Sequence, residues 1–351
     1  MLRLLDARGW GGCRHACILD VKRDVNATRS LRACELSRPP VRGVWQTVRD
    51  ARAYNPCVQR SSTEECQMAG NPDLSGKVAI VTGASRGIGA DIAKVLAREG
   101  MTVVAAARTL EEGDFRVPGA LNTTIGEIKA AGGNAVAVRC DLAREEDMQS
   151  LWEFAVREFS HVDVLINNAA ILVPGTIESM SWRHFNLSFQ INVASPAFLS
   201  RLAIPHMRGL GGGAIINISS GASRGPGAGP YAAAIKGGTP YGLSKSALER
   251  MTQGMAAELC EDNISVNALM PSRQIWVGGT VYVAQTQRPD FESIDLTGKR
   301  KDGTIMGDAC AAILRADHAS YTGRVLNDEA WLTELTGATT FTQYASYFST
   351  R

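Results

Sequence analysis

Lys77-Val78-Ala79-Ile80-Val81-Thr82-Gly83-Ala84-Ser85-Arg86-Gly87-Ile88-Gly89 is the stretch from which the fold is read. Its first five residues, of which Val78–Val81 are apolar and mostly β-branched, read as a short strand covered on both faces. The run enters three glycines spaced Gly-x3-Gly-x-Gly, and Ala90–Arg98 beyond them reads as a helix. Glycines at such a turn let the main chain fold tightly and approach a pyrophosphate, whose charge then rests on the helix N-terminus. A glycine triplet alone is weak evidence. This one has the strand before it and the helix after it.

Further strands are predicted at Thr102–Ala107, Asn134–Cys140, Val162–Ile166, Ala214–Ile218, Ile264–Leu269 and Arg324–Leu326. Helices are predicted at Thr123–Ala131, Glu145–Phe159, along one stretch Trp182–Met207, and at Pro240–Leu259 and Met306–Leu314. Strands alternating with helices at this spacing predict an α/β fold, a single Rossmann-type doubly wound parallel sheet with helices on both faces.

Of 351 residues, 45% are hydrophobic and 21% charged, enough apolar material for one large core. The net charge of +2 is unevenly spread. Over residues 1–60, eleven arginines and Lys22 oppose five acids, a surplus of seven, which leaves the rest of the chain at −5. That balance argues against nucleic acid as a partner of the main domain. No apolar run approaches the roughly 20 residues of a membrane span. Residues 1–72 show no sustained periodicity and are expected to be a disordered extension or the product of an upstream start. Residues 73–335 are expected to form the folded domain that carries any chemistry, and 336–351 a tail. The eight cysteines form no CxxC, and Cys13-Arg14-His15-Ala16-Cys17 lacks a matching second ligand pair, so no metal is expected. Cys140, Cys260 and Cys310 read as buried packing residues of a reducing compartment, hence a cytoplasmic protein. A mitochondrial address would follow if the arginine-rich extension were a transit peptide, although Asp6, Asp20 and Asp24 count against one.

Nicotinamide choice is set where the second strand ends. An acid there accepts the ribose 2′-hydroxyl of NAD, whereas a base pairs with the 2′-phosphate of NADP. Arg108 stands nineteen residues after Gly89, and Arg86 lies inside the glycine loop, so NADP(H) is favoured over NAD(H).

Tyr241 and Lys245 are four residues apart, with Thr239 expected as helix cap and Pro240 at the first helical position. Four residues turn a helix by about 40° from full register, so both side chains share one face. A tyrosine with pKa near 10 is a poor base at neutral pH, and a neighbouring ammonium favours its phenolate. Tyr231 and Lys236 are five apart, and Gly237-Gly238 breaks any helix there, so that pair is rejected.

The glycine spacing and Tyr241-Gly242-Leu243-Ser244-Lys245 together resemble the short-chain dehydrogenases, over about residues 74–335. The resemblance implies a cofactor site of Gly83, Ser85, Arg86, Gly87, Ile88, Gly89 and Arg108. Asp141 and Leu142 would stand beside adenine. Asn168 and Ala169, in Asn167-Asn168-Ala169-Ala170, resemble the family's Asn-Asn-Ala-Gly, with Ala170 in place of the glycine. It further implies that Lys245 reaches the cofactor ribose beside Tyr241, that Ser220 binds the substrate oxygen with Ser219 as rival, and that Asn192 holds a proton-relay water.

The expected reaction is reversible hydride transfer on a small-molecule alcohol/carbonyl pair. The alternative is a catalytically idle dinucleotide-binding sensor, against which the complete Ser/Tyr/Lys set argues. A homo-oligomer is left open. The twenty residues 221–240 and the ending Tyr321–Glu329, which lacks Asp-Gly-Gly, are similar to the hydroxysteroid dehydrogenase-like and citronellol dehydrogenase subgroup. Gly221–Thr239 carries only Arg224 and Lys236 as charges, and Ile275–Gln287 adds Trp276, Val277 and Tyr282. The family closes that second region over substrate, so a lipophilic substrate is expected.

Overall fold

The computed structural model describes residues 73–115, 117–234, 237–275 and 301–344. The extension 1–72 with its Cys13–Cys17 cluster, Lys236, and residues 276–287 of the apolar region lie outside the described residues. Among the described residues seven strands form one sheet in the order β3-β2-β1-β4-β5-β6-β7. These are β1 Val78–Thr82, β2 Thr102–Ala107, β3 Asn134–Arg139, β4 Val164–Asn167, β5 Gly213–Ile218, β6 Ile264–Met270 and β7 Val325–Asn327. Every pairing is parallel, as the alternation of strand and helix predicts.

All five residues of β1 are buried, and their alternation assigns them to opposite faces. Ala79 and Val81 join the core beneath α1 Gly87–Arg98, α2 Leu121–Ala130 and α7 Thr304–Arg315, while Val78 and Ile80 join the core on the other face. That second core includes Leu151 and Trp152 of α3 Glu145–Phe159, Leu199 of α5 Ser195–Gly209, and Met255 of α6 Thr239–Glu258. The strand order reverses between β1 and β4, and in such sheets a ligand crevice opens at that point, outside the strands' carboxyl ends.

Four local expectations need correction. The stretch Trp182–Met207 is two helices, α4 Trp182–Phe189 and α5, joined by a π-turn at Gln190–Ala194. Pro196 has no N–H for the Asn192 carbonyl four residues back, and its ring would strike that carbonyl, so the helix widens there. Thr239 is the first helical residue of α6 rather than its cap. Gly238, at φ +85°, is the cap, and it brings the chain in without a side-chain hydrogen bond. Asp328–Thr336 forms α8, which the sequence reading missed although Asn327 caps it, Asp328 and Glu329 open it, and Gly337 ends it at φ +73°. Cys260 is exposed, since it lies beyond the end of α6; Cys140 and Cys310 are buried. Among the described residues no His/Cys/Asp/Glu group is arranged to hold a metal, and no helix is long and apolar enough to cross a membrane.

Candidate active site

The glycine loop is locked from the end of β4. The amides of Asn168 and Ala169 donate to Thr82 Oγ1 at 3.0 and 3.1 Å, and Asn168 Nδ2 donates to the Thr82 carbonyl at 2.8 Å. A Cβ on Gly83, which sits at φ +69°, would lie 2.8 Å from Ala169 Cα, and one on Gly89 would strike the Gly83 carbonyl and the Asn168 amide. Glycine is required at both positions by this close approach. Asn168 and Ala169 therefore shape the loop from below. No side chain caps α1, and its first turn holds no acid, so the amide end around Gly87, Ile88 and Gly89 keeps its positive field for an anion. The arrangement fits a dinucleotide pyrophosphate. Ser85, in the loop itself, is buried.

The two arginines occupy different situations. Arg86 donates to the carbonyls of Pro118 at 3.0 Å and Gly119 at 2.6 Å and to Thr109 Oγ1 at 3.0 Å. It ties the loop after β2 to the glycine loop. Arg108 is exposed, and both guanidinium carbons lie 5.5 Å from the centroid of Phe115. Phe115 was not among the residues singled out from the sequence, and no local pattern marks it. Asp141, at the end of β3, accepts from the Ala143 amide at 3.1 Å, and the Leu142 carbonyl accepts from Ser195 Oγ at 3.1 Å. That pair belongs to the edge of the sheet away from β5.

At the other end, β5 and α6 bring Ser220, Tyr241 and Lys245 together. The side chain of Ser220 hydrogen-bonds the Tyr241 hydroxyl; burial raises the phenol's pKa and this bond acts in the opposite direction. Lys245 is 2% exposed and donates to the Ile218 carbonyl at 2.7 Å, with its ammonium 5.8 Å from the Tyr241 ring centroid. Burial brings its pKa down to about 8, opposed by the carboxylate of Glu249. Between the two serines the geometry decides. Ser219 is buried and donates to Glu249 Oε1 at 2.5 Å, leaving Ser220 as the one that meets Tyr241. Glu249 was missed in the sequence, although its spacing of four from Lys245 and eight from Tyr241 is a legible signal. The rejected Tyr231 is exposed and donates to the Gly227 carbonyl.

Asn192 is buried on the π-turn. Its Oδ1 accepts from the Ile171 amide at 2.9 Å, and its Nδ2 donates to the Ile171 carbonyl at 2.9 Å and to Ser244 Oγ at 3.0 Å. It thus couples the segment after β4 to the turn of α6 between Tyr241 and Lys245. A second buried chain, from Asn167 Nδ2 to Asn217 Oδ1 and from Asn217 Nδ2 to Thr252 Oγ1, joins β4, β5 and α6 and sets the helix against the sheet.

Residues 77–274 match the sequence model of the short chain dehydrogenases. Hydroxysteroid dehydrogenase-like protein 2 of Danio rerio is 34% identical over 258 residues, covering 73% of this chain and 58% of the relative. A 7α-hydroxysteroid dehydrogenase solved with NADH and 7-oxo glycochenodeoxycholic acid superposes with a TM-score of 0.62 at 30% identity, over 73% of this chain and 94% of that one. A metagenomic short-chain oxidoreductase solved with NADP gives 0.58 at 28% identity, over 73% and 98%. The seven-stranded parallel sheet, the glycine loop locked by Asn168, and the match over more than half the chain lead to one assignment: this chain belongs to the short-chain dehydrogenase family and is an NAD(P)-dependent alcohol/carbonyl oxidoreductase.

Proposed function

We propose that the chain interconverts a lipophilic alcohol and its carbonyl compound with NADP(H). The observation that carries this is the convergence of Ser220, Tyr241 and Lys245 where β5 ends and α6 begins. Tyr241 passes its phenolic proton to the substrate oxygen in reduction and takes it back in oxidation. Ser220 shares a hydrogen bond with that phenol and orients the substrate oxygen, stabilising charge that develops on it. Lys245 lends positive charge beside Tyr241 and binds ribose, and Asn192 supports the proton relay. The nicotinamide supplies or accepts the hydride when bound. Gly83, Ser85, Gly87, Ile88, Gly89, Asn168 and Ala169 hold the pyrophosphate end, Asp141 and Leu142 the adenine, and Arg108 the 2′-phosphate.

The lipophilic substrate is supported by exposed apolar side chains. Leu172, Ile177 and Trp182 follow β4, Tyr231 follows β5, and Leu243 lies two residues beyond Tyr241. Tethered to segments that leave the strands' carboxyl ends, they offer hydrocarbon contact and little for an ionic substrate. We assign the protein to the cytoplasm on its cysteine pattern.

The test is a screen of alcohols and aldehydes with both nicotinamides, followed by Tyr241→Phe in single-turnover mode. NADPH binding should persist and hydride transfer should stop. A Tyr241→Phe enzyme with near-parental rate would overturn the assignment.

A further inference from the structure

Ser219 and Ser220 are neighbours at the carboxyl end of β5, yet their hydroxyls face different partners. Ser220 meets Tyr241, whereas Ser219 donates to Glu249 Oε1 at 2.5 Å. Tyr241, Lys245 and Glu249 are spaced by four along α6, so all three side chains rise from one helix face. The residue before Ser219 is Ile218, whose carbonyl takes the Lys245 ammonium at 2.7 Å. Glu249 therefore grips the single residue between the two that Lys245 and Tyr241 use. On its far side the Ser219 amide donates to the Leu269 carbonyl of β6 at 2.8 Å, so the strand end is held from the sheet by main chain and from α6 by this carboxylate.

We propose that Glu249 is a positioning residue, holding through Ser219 the strand end that presents the Ile218 carbonyl to Lys245 and the Ser220 hydroxyl to Tyr241. The proposal rests on the reading of Tyr241 and Lys245 given above and deepens it. Geometry argues for it in two ways. The pairing of β5 with β6 ends at Ile218 and the Ser219 amide, so beyond them a side chain fixes what the ladder no longer does. The link is also a charge-assisted hydrogen bond, among the strongest a hydroxyl can make. Its carboxylate has a second effect, since it is the charge that opposes the loss of water around Lys245. Among the described residues, Tyr241 stands beside the ammonium with Glu249 as the acting charge, and β5 contributes the neutral Ile218 carbonyl.

The experiment compares Glu249→Gln, which keeps the shape and removes the charge, with Ser219→Ala, which keeps the charge and removes the link. Each should lower kcat by about tenfold while the cofactor KM stays within about twofold, because the glycine loop is untouched. The double variant should fall no further than the worse single one, the mark of two residues on one path. In 15N-lysine-labelled protein, with the signal assigned by its loss in Lys245→Met, the Lys245 titration midpoint should drop by about one unit in Glu249→Gln. Unchanged kcat in both single variants, strictly additive losses, or an unmoved midpoint would each overturn the proposal. A parent enzyme that turns over nothing would instead overturn the proposed reaction, since the midpoint is read without turnover.

Discussion

Lys245, almost fully buried, spends its ammonium on the main-chain carbonyl of Ile218 at 2.7 Å. One hydrogen bond does not replace a hydration shell, and the pKa falls from 10.5 to about 8. Below about 8 both folded and unfolded chains carry the proton, and the burial cost is present in full. As the pH rises from 8 towards 10.5 the native state releases its proton first, and the cost is relieved. Lys245→Met should therefore stabilise the cofactor-free enzyme at pH 7 by about 1–3 kcal/mol, the upper figure reduced by the carbonyl left unpaired. The advantage should vanish above pH 10.5, and turnover should be lost throughout. Urea melts at pH 7 and pH 10 check this; a variant less stable than the parent at pH 7 contradicts it.

Asp91 in α1 offers a stability change away from the chemistry. Its carboxyl is pushed up to about 6, first by burial and then by Asp302 and Glu127, with Lys94 opposing. Gly303 packs directly on it, which leaves no room for a Cβ there. For a raised carboxyl the cost exists above about pH 6 and disappears as the pH falls through the folded pKa towards 3.8. Asp91→Asn should add about 1–2 kcal/mol at pH 7.5 and nothing at pH 3.5, as read from melts at the two pH values. Equal shifts at both would show that the effect is packing rather than charge.

The two arginines should separate in cofactor kinetics. Arg108 is exposed beside Phe115, so Arg108→Asp should cut the ratio of kcat/KM for NADPH over NADH by about tenfold or more, the loss of one charge-assisted pair. Arg86 has three acceptors in the loop after β2, and Arg86→Met should weaken both nicotinamides together by freeing that loop from the glycine loop. A parent enzyme that prefers NADH would refute the role given to Arg108. A selective loss of NADPH in Arg86→Met would show that Arg86 meets the phosphate itself.

The sheet was legible because its signal is local. Val78–Val81 is apolar on both faces, the glycines follow just after, and the parallel order needs only alternation of strand and helix. Tyr241 and Lys245 were legible for the same reason, since four residues on a helix fix their neighbourhood. What escaped depends on partners distant in sequence. The role of Arg86 as a tie appears only when Pro118 and Gly119 fold over it, thirty-odd residues on. The choice between Ser219 and Ser220 waited on Glu249 across the strand–helix gap. The π-turn and α8 are different, because Pro196, Asn327 and Gly337 announced them in the sequence.

Substrate preference follows from where the exposed apolar side chains are tethered. Among the described residues, Leu172, Ile177, Trp182, Tyr231 and Leu243 make up five of the seven large hydrophobic side chains with high exposure. All five belong to segments that leave β4 or β5 or to the helix that carries Tyr241. The segment after β4 is fixed to that helix through Asn192, which bonds both Ile171 and Ser244, so Leu172 is one residue from a clamped point. Each methylene that a substrate buries there contributes roughly 0.8 kcal/mol, or about fourfold in binding. With straight-chain aldehydes and NADPH, kcat/KM should rise by two- to fourfold for each added methylene from about four to ten carbons, until these side chains are covered. The rise should sit in KM, because hydrocarbon contacts made alike in ground and transition states leave kcat unchanged. Leu172→Ser combined with Leu243→Ser should flatten the series without lowering the rate for the shortest aldehyde. A flat series in the parent, or better turnover of a carboxylated or phosphorylated aldehyde, would show that these side chains serve another surface.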